Sequence, residues 1–164
     1  MVTLHRRANP EVTSLRDVGL FAGCNRDELR RIGSLTTPLE VKQGKVLIQE
    51  GKFGFEFFAV IKGTATATRD GLWLAEFGPG SFFGELALLD RGLRTATVTA
   101  DTTMSLFVFS RAEFNSISGL APSVARKMSV ELTRRIRRTN ELLEQESACA
   151  PSLRPVVQLR ATSA

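Results

Sequence analysis

One short segment of the chain combines an adaptable backbone position, a carboxylate and a guanidinium. Gly84 lets the backbone adopt an unusual φ or come very close to a bound group, because it has no Cβ. Glu85 can accept hydrogen bonds from hydroxyl groups, and Arg94 supplies a fixed positive charge on a planar fork of donors. A carboxylate repels a lone phosphate but suits the hydroxyls of a neighbouring sugar. The pair therefore indicates a small ligand that contains both a sugar and a phosphate.

Two short elements must position these side chains. The run from Leu86 to Leu89 consists of good helix formers but has room for only about one turn. The first amides of such a helix lack intrahelical partners, so those near Leu86 and Ala87 can receive an anionic oxygen. Arg94 precedes the β-prone run Thr95 to Val98. We therefore expect Arg94 at the start of a strand, pointing back at the same anion.

The segment resembles the phosphate-binding cassette of the cyclic nucleotide-binding domain family, the module of catabolite activator protein and of protein kinase A regulatory subunits. The cassette reads roughly Phe-Gly-Glu-Leu-Ala-Leu, a short turn, then Pro-Arg-x-Ala-Thr. The chain departs from it at Leu93, where many members have proline; proline there would stiffen the approach to the arginine without touching ligand. The matching positions are Phe83, Gly84, Glu85, Leu86, Ala87, Leu88, Arg94, Ala96 and Thr97.

The resemblance implies a role for each residue of the site. Glu85 would accept a hydrogen bond from the ribose 2′-hydroxyl, and the backbone from Gly84 through Leu86 to Ala87 would contact ribose and phosphate. Arg94 would neutralise the cyclic phosphate, and Thr95 would lie beside phosphate and base. Cyclic AMP (cAMP) is the preferred ligand, with cyclic GMP (cGMP) close behind because threonine at this position is frequent in cGMP-preferring relatives.

An alternative interpretation needs no ligand. Gly84 and Glu85 would then only shape a turn, and Arg94 would pair with a surface acid in a domain that has lost its ligand. We favour binding, because both charged residues stand at the spacing of the family cassette.

The remaining pattern predicts a mainly β fold with flanking helices, an antiparallel jelly-roll β-barrel with N-terminal helices and a long C-terminal helix. Asn25 followed by Glu28 indicates a helix start, and Asp70-Gly71 indicates a hairpin turn. Short β-prone runs separated by glycine are typical of a sandwich or barrel. These runs are Val46 to Ile48, Phe57 to Ile61, Thr64 to Thr68, Leu72 to Phe77, Thr95 to Ala100 and Leu106 to Phe109.

The predicted organisation is one domain between two tails. Residues 1–11 form a flexible N-terminus, 12–146 the cyclic nucleotide-binding domain, and 147–164 a disordered tail. Within the domain, 12–34 are the leading helices, 35–109 the β-roll and 110–146 a hinge with the C-terminal helices. Pro122 suits the first turn of a long helix that runs to about Glu146.

The long helix carries an apolar stripe and a cluster of arginines. The stripe either packs on its own barrel or serves as a dimer seam or a lid over the base, so a homodimer through this helix is one expectation. The arginines are consistent with a solvated helix face, and alternatively with nucleotide-independent protein or nucleic-acid binding. We expect no sequence-specific DNA binding, since no helix-turn-helix follows. The stripe is Val124, Met128, Leu132, Ile136 and Leu143, and the cluster is Arg134, Arg135, Arg137 and Arg138.

Length and composition agree with a single soluble globular domain. The chain has 164 residues, 43% hydrophobic residues, a formal net charge of +5 and one histidine, His5. With no second histidine, histidine-based acid–base, triad and metal chemistry lack their usual groups, so we expect no catalytic residue, metal or cofactor. The basic N-terminus lacks the apolar block of a secretory signal, which predicts a cytoplasmic protein. Cys24 and Cys149 are expected to be free thiols.

Overall fold

The computed structural model describes residues 15–149, and within this range eight strands form two antiparallel sheets. The first sheet has the order β1-β8-β3-β6, and the second has the order β2-β7-β4-β5. The strands are β1 (Thr37–Val41), β2 (Val46–Ile48), β3 (Glu56–Lys62), β4 (Ala65–Arg69), β5 (Leu72–Phe77), β6 (Phe82–Phe83), β7 (Thr97–Ala100) and β8 (Met104–Ser110). The predicted antiparallel jelly roll is confirmed.

Alternation along β3 divides its side chains between two apolar clusters. Phe58 and Val60 lie in the core between the two sheets, together with Leu106 and Val108 of β8. Phe57 faces the opposite side of the first sheet, where its ring contacts Phe82, Phe109 and Phe114. Because successive strand residues point to opposite faces, the continuous apolar run of β3 is explained by burial on both sides.

The helices with bounds inside the described range are α1 (Arg26–Leu35), α2 (Leu86–Leu89), α3 (Arg111–Leu120) and α4 (Pro122–Cys149), and residues 15–16 are also helical. The predicted start of α1 is confirmed as a capping box, in which Asn25 Oδ1 accepts from the Glu28 amide at 2.9 Å and Glu28 Oε2 accepts from the Asn25 amide at 2.7 Å. Ser110 and Glu113 form a second capping box, so β8 passes directly into α3. The predicted helix start at Pro122 is also confirmed.

The predicted hairpin turn joins β4 to β5. Asp70 and Gly71 have φ values of 51° and 78°, which are the positive values that a tight hairpin turn requires at both central positions. The flanking residues Arg69 and Leu72 pair directly, and a bulge follows between Ala67 and Thr68.

Several predicted boundaries were wrong. Residues 17–23 form turns rather than continuous helix, and the strand expected from Thr95 begins at Thr97. Strand β1 was not predicted, because Pro38 and Glu40 weaken its β pattern. Strand β6 was not predicted, because it has only two residues. Both are edge strands, where proline is tolerated. Helix α4 ends at Cys149, so residues 147–149, predicted as tail, are helical.

Residues 15–127 form one compact unit, which holds both sheets and helices α1 to α3, and residues 128–149 belong to a second unit. The predicted flexible N-terminus and the rest of the predicted tail lie outside the described residues, and the domain boundaries stay predictions. No helix in the described part of the chain is long and apolar enough to cross a membrane.

Candidate functional site

The backbone of Arg94 is tied to the loop between β2 and β3. Its amide donates to the Lys52 carbonyl at 2.8 Å, and its carbonyl accepts from the Gly51 amide at 2.9 Å. The adjacent residues Phe53 and Leu93 form an isolated antiparallel bridge. Arg94 is thus held before the start of β7 by main-chain bonds, which leave its side chain free to reach the interior.

The guanidinium of Arg94 lies in a cradle of main-chain oxygens. Nη1 donates to the Gly84 carbonyl at 2.7 Å, and Nη2 donates to the Glu56 carbonyl at 2.7 Å. The Glu56 carboxylate lies 3.5 Å from Nη2. Arg94 is only 7% exposed, whereas the side chain of Glu56 is 52% exposed. The Glu56 carboxylate is therefore a weak, solvent-screened acidic partner of this buried guanidinium.

Two glycines make room for this guanidinium. A Cβ at Gly54 would lie 2.0 Å from Arg94 Nε, and a Cβ at Gly84 would lie 2.9 Å from Arg94 Nη1. Gly84 also has φ +88°, which strains residues with a side chain. The unusual φ predicted for Gly84 is thus observed, and a Cβ there would meet the arginine of the same site, while close approach to a bound ligand stays a prediction.

The electrostatics of Arg94 reflect burial among charged neighbours. Burial lowers the pKa of Arg94 below its ordinary value, while Glu56 and Glu85 raise this pKa and Arg111 lowers it. A guanidinium nevertheless stays charged at neutral pH. The site therefore holds a buried positive charge beside the carboxylate of Glu85.

The structure brings most of the predicted site residues together. Glu85 is 2% exposed and immediately precedes α2, whose residue Ala87 is buried and whose residue Leu86 is exposed. Thr95 is exposed and follows the buried Arg94 in the chain. The predicted one-turn helix after Glu85 is confirmed.

Sequence reasoning missed three neighbours of Arg94. Gly54 and Glu56 come from the loop before β3 and from its first residue, and Arg111 begins α3. The glycines of the segment Gly51 to Gly54 were a signal that the backbone approaches another group closely. Nothing local in the sequence marks Glu56 or Arg111. Among the described residues, no group of three or more His, Cys, Asp or Glu side chains could hold a metal ion.

Relatives of known function share this segment. The cyclic nucleotide-binding domain family matches residues 38–118. A cyclic nucleotide-gated potassium channel of Rhizobium etli is 35% identical over 118 residues, which are 70% of this chain and 33% of the channel. A CRP-like cAMP-activated global transcriptional regulator of Mycobacterium tuberculosis is 28% identical over 79% of this chain and 60% of the regulator. The chain thus spans about a third of the channel and about three fifths of the regulator.

Solved structures share the fold as well. The catabolite activator protein of Thermus thermophilus has a TM-score of 0.71 and 30% identity over 79% of this chain and 63% of its own. A cAMP-bound PfPKA-R has a TM-score of 0.73 and 25% identity over 80% of this chain and 46% of its own. Fold, matched segment and cassette agree, and residues 38–118 of this chain belong to the cyclic nucleotide-binding domain family.

Proposed function

We propose that the chain is a non-enzymatic cyclic nucleotide sensor that binds cAMP. The observation that carries the proposal is the burial of the Arg94 guanidinium. Its Nη1 donates to the Gly84 carbonyl, and the buried carboxylate of Glu85 lies near enough to affect its pKa. A cyclic phosphodiester supplies the anion that such a group pairs with, and a ribose supplies hydroxyl donors for the carboxylate. One similar structure, PfPKA-R, is bound to cAMP and one relative is a cAMP-activated regulator, which supports cAMP over cGMP.

The proposed contacts follow the cassette residue by residue. Glu85 accepts from the ribose 2′-hydroxyl, the backbone from Gly84 to Ala87 contacts ribose and phosphate, and Arg94 neutralises the phosphate. Thr95, exposed next to Arg94, contacts phosphate and base. The ion pair with Glu56 gives the ligand-free interpretation some support, but an exposed carboxylate at 3.5 Å does not replace a phosphate in contact with the guanidinium.

We propose that the effect of nucleotide binding is transmitted as a conformational change of the segment between Phe109 and Pro122, which precedes helix α4. Nucleotide binding shifts this helix between two placements because it favours one of them, and the apolar stripe of α4 forms the homodimer seam or a lid over the base. A further proposal is that an unidentified protein partner reads this change. The cytoplasmic location stays a prediction.

The test is isothermal titration of the purified chain with cAMP and, separately, with cGMP. Arg94→Ala leaves the cyclic phosphate charge unpaired, so we expect it to lose about 2–4 kcal/mol of binding free energy. Arg30→Ala is the matched control: it also removes one positive charge, but from an exposed ion pair with Asp27 on α1. The control should bind like the parent chain.

Two results would contradict the proposal. Equal cAMP affinity in Arg94→Ala and the parent chain would contradict the assignment of Arg94 to the phosphate. If the parent chain binds neither nucleotide, the proposed sensor function is wrong. Salt-sensitive binding of a polyanion that is indifferent to Arg94→Ala would instead support the second candidate, a nucleotide-independent role of α4. On that helix Arg134 and Arg135 both pair with Glu131, which lowers the charge available to a polyanion.

A further inference from the structure

Strand β5 forms one edge of the second sheet. It pairs with β4 on one side, and no strand within residues 15–149 lies on its other side. Its residues Leu72, Trp73 and Leu74 have relative exposures of 72%, 56% and 46%. A bulge in the pairing with β4 falls between Trp73 and Ala75, and because bulges re-aim side chains, it accounts for three consecutive exposed residues. The edge is therefore both open and apolar.

The other edges of the two sheets are protected in ways that β5 is not. Strand β1 contains Pro38 and Glu40, β2 has three residues and β6 has two. Proline, charged side chains and short length are the usual devices that keep an edge from pairing with another chain. Strand β5 has six residues, reads Leu-Trp-Leu-Ala-Glu-Phe and carries one charge, that of Glu76. Among the described strands, it is the edge best suited to accept a further strand.

The charges around this edge are mainly acidic. Asp70, in the turn before β5, and Glu76 are exposed, and neither forms an ion pair with another described residue. Arg69 is the one basic residue of the hairpin, and its Nε lies 3.9 Å from Oε1 of Glu50, so it already has an acidic neighbour. The Glu50 carboxylate also accepts from the Asp70 amide at 3.1 Å. Two uncompensated acids at the edge favour a cationic partner.

We propose that the outer edge of β5 binds an extended, basic peptide segment of a partner protein as a fifth strand of the second sheet. Main-chain hydrogen bonds to the edge supply affinity, and side-chain contacts supply specificity. Apolar side chains of the segment contact residues 72–74, and its arginine or lysine side chains pair with Asp70 and Glu76. This site is separate from the proposed nucleotide site and does not depend on nucleotide binding.

A second copy of this chain is a poorer occupant of the same edge. Antiparallel pairing of two β5 strands about a two-fold axis reverses one strand relative to the other. Asp70 of one copy then comes toward Glu76 of the other, twice in the dimer. Like charges placed opposite each other across a strand pair are destabilising.

The test uses the full chain and a synthetic peptide, Arg-Val-Thr-Val-Thr-Val-Arg. Trp73 is the only tryptophan of the chain and lies on the edge itself, so its fluorescence reports occupancy. Amide hydrogen exchange over residues 72–77 measures protection of the main chain. Two matched peptides serve as controls. One is N-methylated at its three central residues, which keeps the side chains but removes main-chain donors on both edges; the other has glutamate in place of both arginines.

We expect a saturable change of Trp73 fluorescence below about 1 mM peptide, with slower exchange in β5. The N-methylated peptide should not bind, because it cannot complete the hydrogen-bond ladder. The glutamate peptide should bind at least about tenfold more weakly, because it meets like charges.

Two variants of the chain locate the site. Leu72→Lys should weaken binding of the arginine peptide by about fivefold or more, since lysine is a residue that protects natural sheet edges. Val46→Lys is the matched control: Val46 is 47% exposed on β2, at the opposite edge of the same sheet. The control should bind the peptide like the parent chain.

Four results would overturn the proposal: no saturable signal up to about 1 mM peptide, equal binding of the N-methylated peptide, protection by the peptide outside β5, or parent-like binding by Leu72→Lys. The peptide comparisons use the parent chain, so they decide the matter even if Leu72→Lys does not fold. Sedimentation equilibrium without peptide checks the other occupant. A dimer that is lost in Leu72→Lys but kept in Val46→Lys would assign the edge to a second copy and contradict the proposed partner.

Discussion

At the scale of single residues, the missing side chains of two glycines matter as much as the charges of the site. The Arg94 guanidinium fills the space in which a Cβ at Gly54 or at Gly84 would lie. Its hydrogen bonds go to the main-chain oxygens of Gly84 and Glu56, and the half-exposed carboxylate of Glu56 lies 3.5 Å from Nη2. The position of the fork is therefore set mainly by backbone, which is stiffer than any side chain.

Gly54→Ala should displace the Arg94 guanidinium from its cradle, because a Cβ there would lie 2.0 Å from Arg94 Nε. We expect cAMP affinity to fall by about tenfold, or roughly 1.4 kcal/mol. Isothermal titration measures this loss. Gly78→Ala is the control, since a Cβ there meets nothing within 4 Å and Gly78 lacks a positive φ. Parent-like binding by Gly54→Ala would mean that Arg94 is not needed in its observed position.

Glu56→Gln should strengthen binding of an anionic ligand, because the Glu56 carboxylate lies 3.5 Å from the Arg94 Nη2 and competes for it. The carboxylate is half exposed and screened, so we expect a gain of only about two- to fivefold in cAMP affinity. Titration against Glu40→Gln, which removes an exposed charge from β1, separates this effect from the change in net charge. Weaker binding by Glu56→Gln would show that Glu56 orients Arg94 instead of competing with the ligand.

At the scale of elements, the turns and helix ends carry the strongest local constraints. Both capping boxes satisfy amides that a helix start leaves without partners. The β3–β4 turn depends on Gly63, which has φ +83°. A Cβ on Gly63 would lie 2.5 Å from the Thr103 carbonyl oxygen, which belongs to the backbone just before β8. This turn therefore connects strands of the two different sheets at a point of close contact.

Gly63→Ala should lower the free energy of unfolding by about 2–3 kcal/mol, because it combines a strained φ with a clash against backbone. Urea denaturation measures the loss. Gly71→Ala is the control, since Gly71 has a similar φ of 78° but a Cβ there meets nothing within 4 Å. The control should lose only about 1 kcal/mol, from strain alone. Equal losses in the two variants would argue against the contact with Thr103.

At the scale of the whole molecule, the unit of residues 15–127 contains the complete candidate site, and its apolar core lies between the two sheets. Cys24 lies at the edge of this unit, where it is buried and its Sγ lies 4.0 Å from Ser123 Oγ at the start of α4. Burial raises the pKa of the Cys24 thiol above its ordinary value, with a smaller opposing effect from Ser123. The neutral thiol is therefore the form that the folded unit favours.

Stability should consequently fall at alkaline pH. Above the ordinary thiol pKa of 9.0, the unfolded chain has released the Cys24 proton while the folded chain retains it. The unfolded state then binds fewer protons, so the free energy of unfolding decreases as pH rises toward the raised pKa of the folded state. Urea denaturation from pH 8 to pH 10 should show a steeper decline in the parent chain than in Cys24→Ala. Parallel declines would contradict the assignment to Cys24.

The features that depend on near neighbours in the chain could be predicted from the amino-acid sequence alone. The capping box of Asn25 and Glu28, the Asp70-Gly71 turn and the one-turn helix after Glu85 each satisfy backbone groups within a few residues. The family followed from the ordered set of glycines, charges and apolar residues around the cassette. Such patterns are readable because period, capping and turn chemistry act locally.

The groups that surround Arg94 are set by long-range contacts, which local sequence patterns do not show. Glu56 is distant from Arg94 in the chain and reaches it through the pairing of β3 with its neighbours, while Arg111 reaches Gly54 and Ala87 because β8 delivers α3 to that side of the sheet. Strand β1 could not be predicted from local sequence either, because its proline is tolerated only at the edge of a sheet, and sheet order is a long-range property. Strand register and sheet order are long-range properties, and one residue of slip would exchange the faces on which all these side chains lie.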